Sequence, residues 1–531
     1  MARVVVCLLV LVLLGAGGHA RVSTSATTGA GRYDDGAAPT AALPDPWALR
    51  PQYHVMPLQN WMNDPNGPMY YKGYYHLFYQ YSPTPVSGRM WWMHEVSTDL
   101  AFWARLPPAL KPDTSYDKDG VWSGSATILQ DGTPALLYTG SVGQLEYQCL
   151  ALPADPSDPL LTHWAKYSGN PILANPPAGI DPNYWRDDTT AWRSGGAWKM
   201  LVGARLNTTT GAALLYTSTD FKNWTYLHPF WSGDAWGNPP IWECPDFYPL
   251  GDQHVLKFSA FSDVERLDWW TIGLYNEDSQ TFTPTSNTVL VDFGGLYYAS
   301  KTFLDPVPRG GRRIIYGWVC EDEPNAASRG WQGVQALPRV VTINKALNLV
   351  VAEPIPELAN LRNASSARHF PHLVVKPGES VPLIGVGGAQ LEIEAVFKDL
   401  RVDAKARVGV RVLESPSGKQ RNFTTVYYEL PGPGGRTAKL CIDRSQSGTV
   451  GSTKLQCGEA PFFKSDHELN LRIFVDHSMI EAFAHHGRHR GTSRVYIDMS
   501  REDELGVSVF SESSRATTQV DTWQLLPCYA P

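Results

Sequence analysis

The apolar residues of this chain recur in short alternating runs, and no long segment repeats with the period of a helix. From His54 onward, Tyr74–Tyr81, Ala135–Thr139, Lys199–Ala204, Ala213–Ser218, Val255–Ser259, Trp269–Tyr275 and Ile314–Val319 read as strands punctuated by Gly, Pro, Asn and Asp. Successive side chains on a strand face opposite ways, so a period of two buries one face of a sheet. Sustained along the chain, that pattern predicts an all-β protein. One segment also returns: Ser97-Thr98-Asp99-Leu100-Ala101-Phe102-Trp103 recurs as Ser218-Thr219-Asp220-Phe221-Lys222-Asn223-Trp224. A repeated unit among regular short strands hints at a propeller of similar sheets.

The stretch Pro354–Phe370 is richer in Pro, Asn, Ser and Arg and reads as a boundary. Beyond it, Leu391–Phe397, Val408–Leu413, Thr424–Leu430, Leu469–Val475, Ile480–Ala484, Arg494–Ile497 and Val507–Phe510 alternate, as a two-sheet sandwich requires. A chain of 531 residues is long enough for two cores. At the N-terminus, Arg3, the apolar run Val4–Leu14 and small residues ending at Ala20 read as a signal peptide, residues 1–20. Residues 21–50 read as a flexible or processed leader. The sequons at Asn207, Asn223, Asn363 and Asn422 then suggest a glycosylated secretory protein.

The net charge of -7 gives no electrostatic case for nucleic acid or anionic membranes. No apolar run in the body is long enough to cross a bilayer, so no membrane insertion of the mature chain is expected. The 19 Trp and 24 Tyr fit stacking on the C–H faces of sugars, and equally fit the filling of large β-rich cores. Of the seven Cys, Cys7 leaves with the signal peptide and the others lack ligand spacing, so no zinc site is expected. Cys441 and Cys457 close a short loop and are the candidate disulfide.

Three acidic settings in the first domain carry candidate chemistry. Asp64 lies in Trp61-Met62-Asn63-Asp64-Pro65-Asn66-Gly67, which is also ordinary turn composition. Glu243 lies between Trp242 and Cys244, where desolvation would raise its pKa as an acid catalyst requires, or where it caps a surface turn. Asp187 follows Arg186, which either holds it ionised or forms a structural salt bridge with it. Retaining glycosidases need two such carboxyls, one to attack the anomeric carbon and one to protonate the leaving oxygen.

Together the three settings resemble the nucleophile, acid/base and Arg-Asp boxes of the plant acid invertase and fructan exohydrolase family, glycoside hydrolase family 32, and its cell-wall invertase branch. Phe78-Tyr79-Gln80, Trp122–Thr127, Tyr297–Phe303 and Val475-Asp476-His477-Ser478 with Glu481 and Phe483 extend the resemblance from about His54 to Phe510. It implies a five-bladed β-propeller, the catalytic domain, over residues 51–360 and a C-terminal β-sandwich over 370–531. It implies Asp64 as nucleophile, Glu243 as acid/base and Asp187 as transition-state stabiliser. Trp61, Met62, Asn63, Gln80, Trp122, Ser123 and Arg186 would shape the fructose pocket, with no metal or organic cofactor. The implied activity is release of terminal β-D-fructofuranosyl units, from sucrose as an invertase or from inulin- or levan-type fructan as an exohydrolase. The apoplast or cell wall is the expected location, with the vacuole as the alternative, and a proteinaceous invertase inhibitor is a conceivable partner. Asp476-His477-Ser478 reads as structural, because adjacent strand side chains point apart and cannot assemble a serine triad.

This chain also departs from the family pattern. Asp188 stands where Pro is usual, Ser87-Gly88 where a Trp-Gly pair is usual, and Glu95 where the family has Ser. Glu95 is expected to add charge at the pocket rim. Asp188 is expected to raise the pKa of one of the adjacent carboxyls if it points inward. The usual disulfide partner of Cys441 corresponds to Arg490, leaving Cys457 as substitute. Asp263 with Arg266 resembles a sucrose-holding pair and favours invertase, whereas the missing rim Trp favours an exohydrolase. A catalytically weak sugar-binding relative is a third reading, opposed by the intact Asp64, Asp187 and Glu243.

Overall fold

The computed structural model describes residues 47–529 apart from 234–240, 262–265, 309, 324–325, 399, 401–405, 417–421, 448–453, 464–465, 467, 500–501 and 514. The expected signal peptide, most of the leader and Asp263 lie outside the described residues. The last residues of the leader are packed: Leu49 is buried, and the buried Arg50 guanidinium donates to the Pro57 carbonyl and lies over the Trp331 ring.

The described residues hold strands and short 3-10 turns, in a five-bladed β-propeller followed by a β-sandwich. Each blade is an antiparallel sheet that begins on an inner strand: Asn60–Tyr71, Gly120–Ile128, the broken strand Trp185–Arg186 and Trp192–Ser194, Ile241–Leu250 and Tyr297–Asp305. The ring closes where Trp331–Gln332, from the fifth blade, pairs in parallel with Asn60–Trp61 of the first. The sandwich has two six-stranded sheets, and its strands run from Arg368 to Gln524. One expected strand, Arg494–Ile497, is displaced: the strand observed there is His489–Arg494.

The repeated segment is the same turn built twice, between the third and fourth strands of blades one and three. Ser97 Oγ accepts from the Leu100 amide at 2.7 Å, and Asp99 Oδ1 accepts from Ala101 and Phe102 at 3.0 and 2.9 Å. Ser218 accepts from Phe221 at 2.9 Å, and Asp220 accepts from Lys222 and Asn223 at 2.9 and 2.8 Å. Leu100 and Phe221 share φ of 65°, and both indoles, Trp103 and Trp224, donate back to their carbonyls at 3.2 Å. Short polar side chains that satisfy backbone amides locally are what make such a turn.

The two domains meet through polar groups. Asp476 accepts from the amides of Gln52 and Tyr53 at 2.8 and 2.9 Å and from His54 Nδ1 at 2.7 Å. Glu481 accepts from the Leu337 amide and from Arg339, both at 2.7 Å. Asp476 is therefore structural, but not for the reason of strand alternation. The chain turns at His477, with φ of 51°, and His477 Nδ1 comes 3.0 Å from Asp476 Oδ1. Ser478 instead accepts from Arg494 at 3.0 Å, so no triad forms. Cys441 and Cys457 sit opposite each other on paired strands and are bridged, as expected from their short loop. Arg490 is buried at the seam, over the Trp270 ring and donating to the Leu290 carbonyl at 3.1 Å.

Candidate active site

Every inner strand loses its regular register at one end of the ring. Pairing with the second strand skips between Met62 and Pro65, Trp122 and Gly124, Glu243 and Asp246, and Tyr298 and Lys301. The third inner strand breaks outright at Asp187. A bulge re-aims the side chains beside it, so all five blades turn a polar residue toward one place. Three residues there adopt left-handed backbone without being glycine: Asp187 at 70°, Cys244 at 44° and Ala299 at 54°. Such strain persists where surrounding structure over-determines it, and it clusters at functional sites. Close packing of blades three and four adds to this: a Cβ on Gly203 would lie 2.3 Å from the Trp242 carbonyl oxygen.

Asp64 receives Asn63 Nδ2 at 3.0 Å on one oxygen and Ser123 Oγ at 2.6 Å on the other. Those donors are held in turn: Trp61 donates to Asn63 Oδ1 at 2.9 Å, Asn63 donates to Gln80 at 2.9 Å, and Gln80 donates to Ser123 at 2.6 Å. Burial pushes the Asp64 carboxyl up to about 6, against the Ser123 hydrogen bond and with help from the charges of Asp187 and Glu243. Asp187 accepts from the Cys244 amide at 2.9 Å, and the Cys244 thiol lies 3.5 Å from Asp187 and 3.6 Å from Asp64. Burial raises Asp187 as well, Arg186 and Lys301 opposing it and Glu243 adding to it. Glu243 is gripped by Arg186 through Nε and Nη2 at 3.0 and 2.6 Å, and Tyr298 donates to its other oxygen at 2.6 Å.

The expected residues thus gather, with exceptions. Trp61, Asn63, Gln80, Trp122, Ser123 and Arg186 all contact this cluster, Trp122 by lying 5.7 Å below the Arg186 guanidinium. Met62 does not fit the expected pocket role: it is fully buried in the core, because alternation turns it away from Asn63. Trp242 does not enclose the Glu243 carboxyl either. Its indole stacks on Phe258 at 3.9 Å in the core between blades, and Arg186 and Tyr298 set the carboxyl's surroundings. Glu95 is not at the rim. It is buried on the flank of blade one, accepting from Tyr79 at 2.9 Å and from Tyr529 of the C-terminal tail at 3.3 Å. Asp188 points inward, and neither of its carboxyl oxygens has a hydrogen-bond partner among the described residues. Burial raises its pKa well above the usual range, with Lys301 opposing.

Sequence reasoning missed Glu146 and passed over Tyr298. Tyr298 lies in the Tyr297–Phe303 match, whereas Glu146 sits on the third strand of blade two with no motif around it. The buried Glu146 accepts from Arg186 Nη1 at 2.6 Å and from the Trp185 amide at 2.7 Å.

A propeller ringed by bulged inner strands, with a carboxyl in a donor cradle facing a second carboxyl held by Arg and Tyr, defines a glycosidase of the β-fructofuranosidase class. Residues 54–354 match the glycosyl hydrolases family 32 N-terminal domain and residues 357–524 its C-terminal domain. The chain belongs to glycosyl hydrolases family 32. It is 36% identical to the insoluble isoenzyme 1 of beta-fructofuranosidase from Oryza sativa subsp. indica, over 90% of each chain. It is 37% identical to acid beta-fructofuranosidase 2, vacuolar, from a Rosa hybrid cultivar, over 90% of this chain and 81% of that one. The crystal structure of fructan 1-exohydrolase IIa from Cichorium intybus superposes with a TM-score of 0.84 at 31% identity, over 92% of this chain and 98% of that one.

Proposed function

We propose that this protein is a retaining β-fructofuranosidase that releases terminal fructose from sucrose, with Asp64 as nucleophile. The observation that carries the reading is the convergence of three carboxyls, Asp64, Asp187 and Glu243, from three blades at one end of the ring. Asp64 is cradled by neutral donors, whereas Glu243 has one oxygen on Arg186 and the other on Tyr298. Ionised Asp64 attacks the anomeric carbon as Glu243 delivers its proton to the leaving oxygen. Glu243 then draws a proton from water as the water attacks the fructosyl ester, returning free Asp64. Asp187 accepts hydrogen bonds from fructose hydroxyls and offsets the positive charge of the oxocarbenium-like transition state. Asn63, Gln80, Trp61, Trp122, Ser123 and Arg186 fix the geometry.

A fructan exohydrolase is the second reading, favoured by the loop between Ser82 and Met90, which offers no aromatic wall for a glucose ring. The deciding experiment assays the purified protein on sucrose, 1-kestose, inulin and levan beside Asp64→Ala. Fructose released from fructan but not from sucrose sinks the sucrose reading. Release that survives Asp64→Ala sinks the assigned nucleophile. The proposed location is outside the cell, in the wall space, or the vacuole, and Asn207, Asn223, Asn363 and Asn422 are the proposed glycan acceptors. Mass spectrometry of the secreted glycoprotein tests both. A proteinaceous inhibitor of invertases is a proposed partner, tested by titrating it against sucrose hydrolysis.

A further inference from the structure

We infer that the buried pair Lys257 and Asp268 positions the acid of the reaction, clasping the bulge that carries Glu243 to the bulge that carries Tyr298. This rests on the assignment of Glu243 as the acid. The two residues lie on the second and third strands of blade four, Gln253–Phe261 and Arg266–Asn276. Ser259 stands directly opposite Asp268 in that pairing, and Lys257 is two residues from Ser259, so the three side chains share one face. Both charged side chains are fully buried, and Lys257 Nζ lies 3.5 Å from Asp268 Oδ2. Each charge compensates the other at this depth, where a lone ion would be costly.

A bulge takes backbone groups out of the ladder, and a buried group left without a partner is destabilising. Here the pair supplies the partners. Asp268 accepts from the amides of Ala299 and Ser300 at 3.0 and 2.8 Å, and from the Ser300 hydroxyl. Lys257 donates to the carbonyls of Cys244 and Ser300 at 3.0 and 2.5 Å, and to Ser259 Oγ at 3.0 Å. Cys244 and Ala299 are the left-handed residues of the two bulges, and each directly follows a functional side chain, Glu243 and Tyr298. Cys244 is held at both backbone ends: its amide donates to Asp187 at 2.9 Å, and its carbonyl accepts from Lys257. Lys301 laces the same junction from blade five, its ammonium on the carbonyls of Pro245 and Asp188 at 3.1 and 3.2 Å.

The contact that the clasp fixes is the one between Tyr298 and Glu243 Oε2, at 2.6 Å. An alanine at φ of 54° is strained, and the two consecutive amides that donate to Asp268 offset that strain. A strand relaxed toward regular pairing would re-aim Tyr298, because a bulge sets the direction of the side chains beside it. Misplacing a group at a reacting centre by about 1 Å is enough to slow a reaction markedly. Lys257 and Asp268 act through Glu243 and Tyr298, so they are positioning residues.

The test is Asp268→Asn, a near-isostere that turns a donor amide toward other donors, with calorimetry to register folding. Tyrosine carrying 13C at Cζ reports the Tyr298 hydroxyl by NMR, its signal identified by its loss in Tyr298→Phe. In Asp268→Asn that signal should move toward its position in Glu243→Ala, where the hydroxyl has lost its acceptor. Tyr298→Phe should lower kcat/KM on sucrose or 1-kestose by about tenfold or more, the worth of a hydrogen bond to a charged group. Asp268→Asn should lower it similarly, and the double variant should fall less than about twofold below Tyr298→Phe. A purely structural role would lower activity equally in both backgrounds, so effects that multiply overturn the inference. An unmoved Tyr298 signal in the folded variant overturns it as well. Should Asp268→Asn not fold, Lys257→Met and Ser300→Ala each remove bonds of the clasp and are read the same way, with a smaller shift expected and an unmoved signal decisive against it. A wild type that cleaves neither sugar overturns the fructosidase reading alone, and the Tyr298 signal still decides the clasp.

Discussion

Two clusters of buried carboxyls lie in this molecule, and they are pushed in opposite directions. In the propeller mouth, Asp64 rises to about 6 and Glu146 to about 7. In the seam with the sandwich, Asp476 and Glu481 are held below their ordinary values although both are equally buried. Burial raises a carboxyl in both places, so burial is not what distinguishes them. At the seam, Asp476 meets two amides, His54 and His477, and Glu481 meets Arg339, an amide and His54. In the mouth, Glu146 and Glu243 share Arg186, and the charge of Glu243 adds to the rise that burial causes in Asp64 and Asp187. One cluster is arranged to be stable, the other to be reactive.

Removing one member of each cluster should break this symmetry most sharply. Asp64→Asn should lower kcat by about 10⁴-fold or more, as loss of a nucleophile does, without lowering Tm at pH 7, where the native carboxylate is held against its preference. A marked fall in Tm would place Asp64 with the structural group. Asp476→Ala should cost about 3–5 kcal/mol in urea unfolding while kcat/KM per folded molecule is kept, because His54 and two amides lose their acceptor. Unchanged stability would show that the seam is not held by these bonds.

The pH dependence of stability should sharpen the contrast. For Asp64 and Glu146, with folded pKa values raised to about 6 and about 7, stability is fully present below the unfolded values and is lost as pH rises through the folded ones. For Asp476 and Glu481 the sign reverses: their stability is present above the unfolded values and is lost as pH falls through the lowered folded ones. Calorimetry should therefore show Tm falling between about pH 5 and 7, with a separate loss in strong acid. In Asp64→Asn, Glu146→Gln the first fall should shrink and the second remain. The smallest effect is expected at Asp188→Asn. A buried carboxyl without hydrogen-bond partners is the neutral acid, so this near-isostere should leave the pH–rate profile in place and alter stability at pH 5 by under about 1 kcal/mol. A displaced profile would show that Asp188 is charged and coupled to Asp187.

What could be read from residues alone follows from locality. Strand runs, the Ser-x-Asp turn repeated at Ser97 and Ser218, and the Cys441–Cys457 loop are set by neighbours a few positions apart. The acidic boxes were legible for the same reason, since each brings its own bulge: Asn63 with Asp64, Arg186 with Asp187, Glu243 with Cys244. Glu95 was misplaced, because its partner Tyr529 lies 434 positions away and no local pattern encodes that contact. Met62 was misassigned because its motif is contiguous while a strand deals alternate side chains to opposite faces. Glu146 was invisible because one arginine joins it to a carboxyl on another blade. Composition and spacing thus determined which residues are chemically able. Ring closure alone decided which of them meet, because electrostatic coupling depends on distance through space and on the donors each anion finds there.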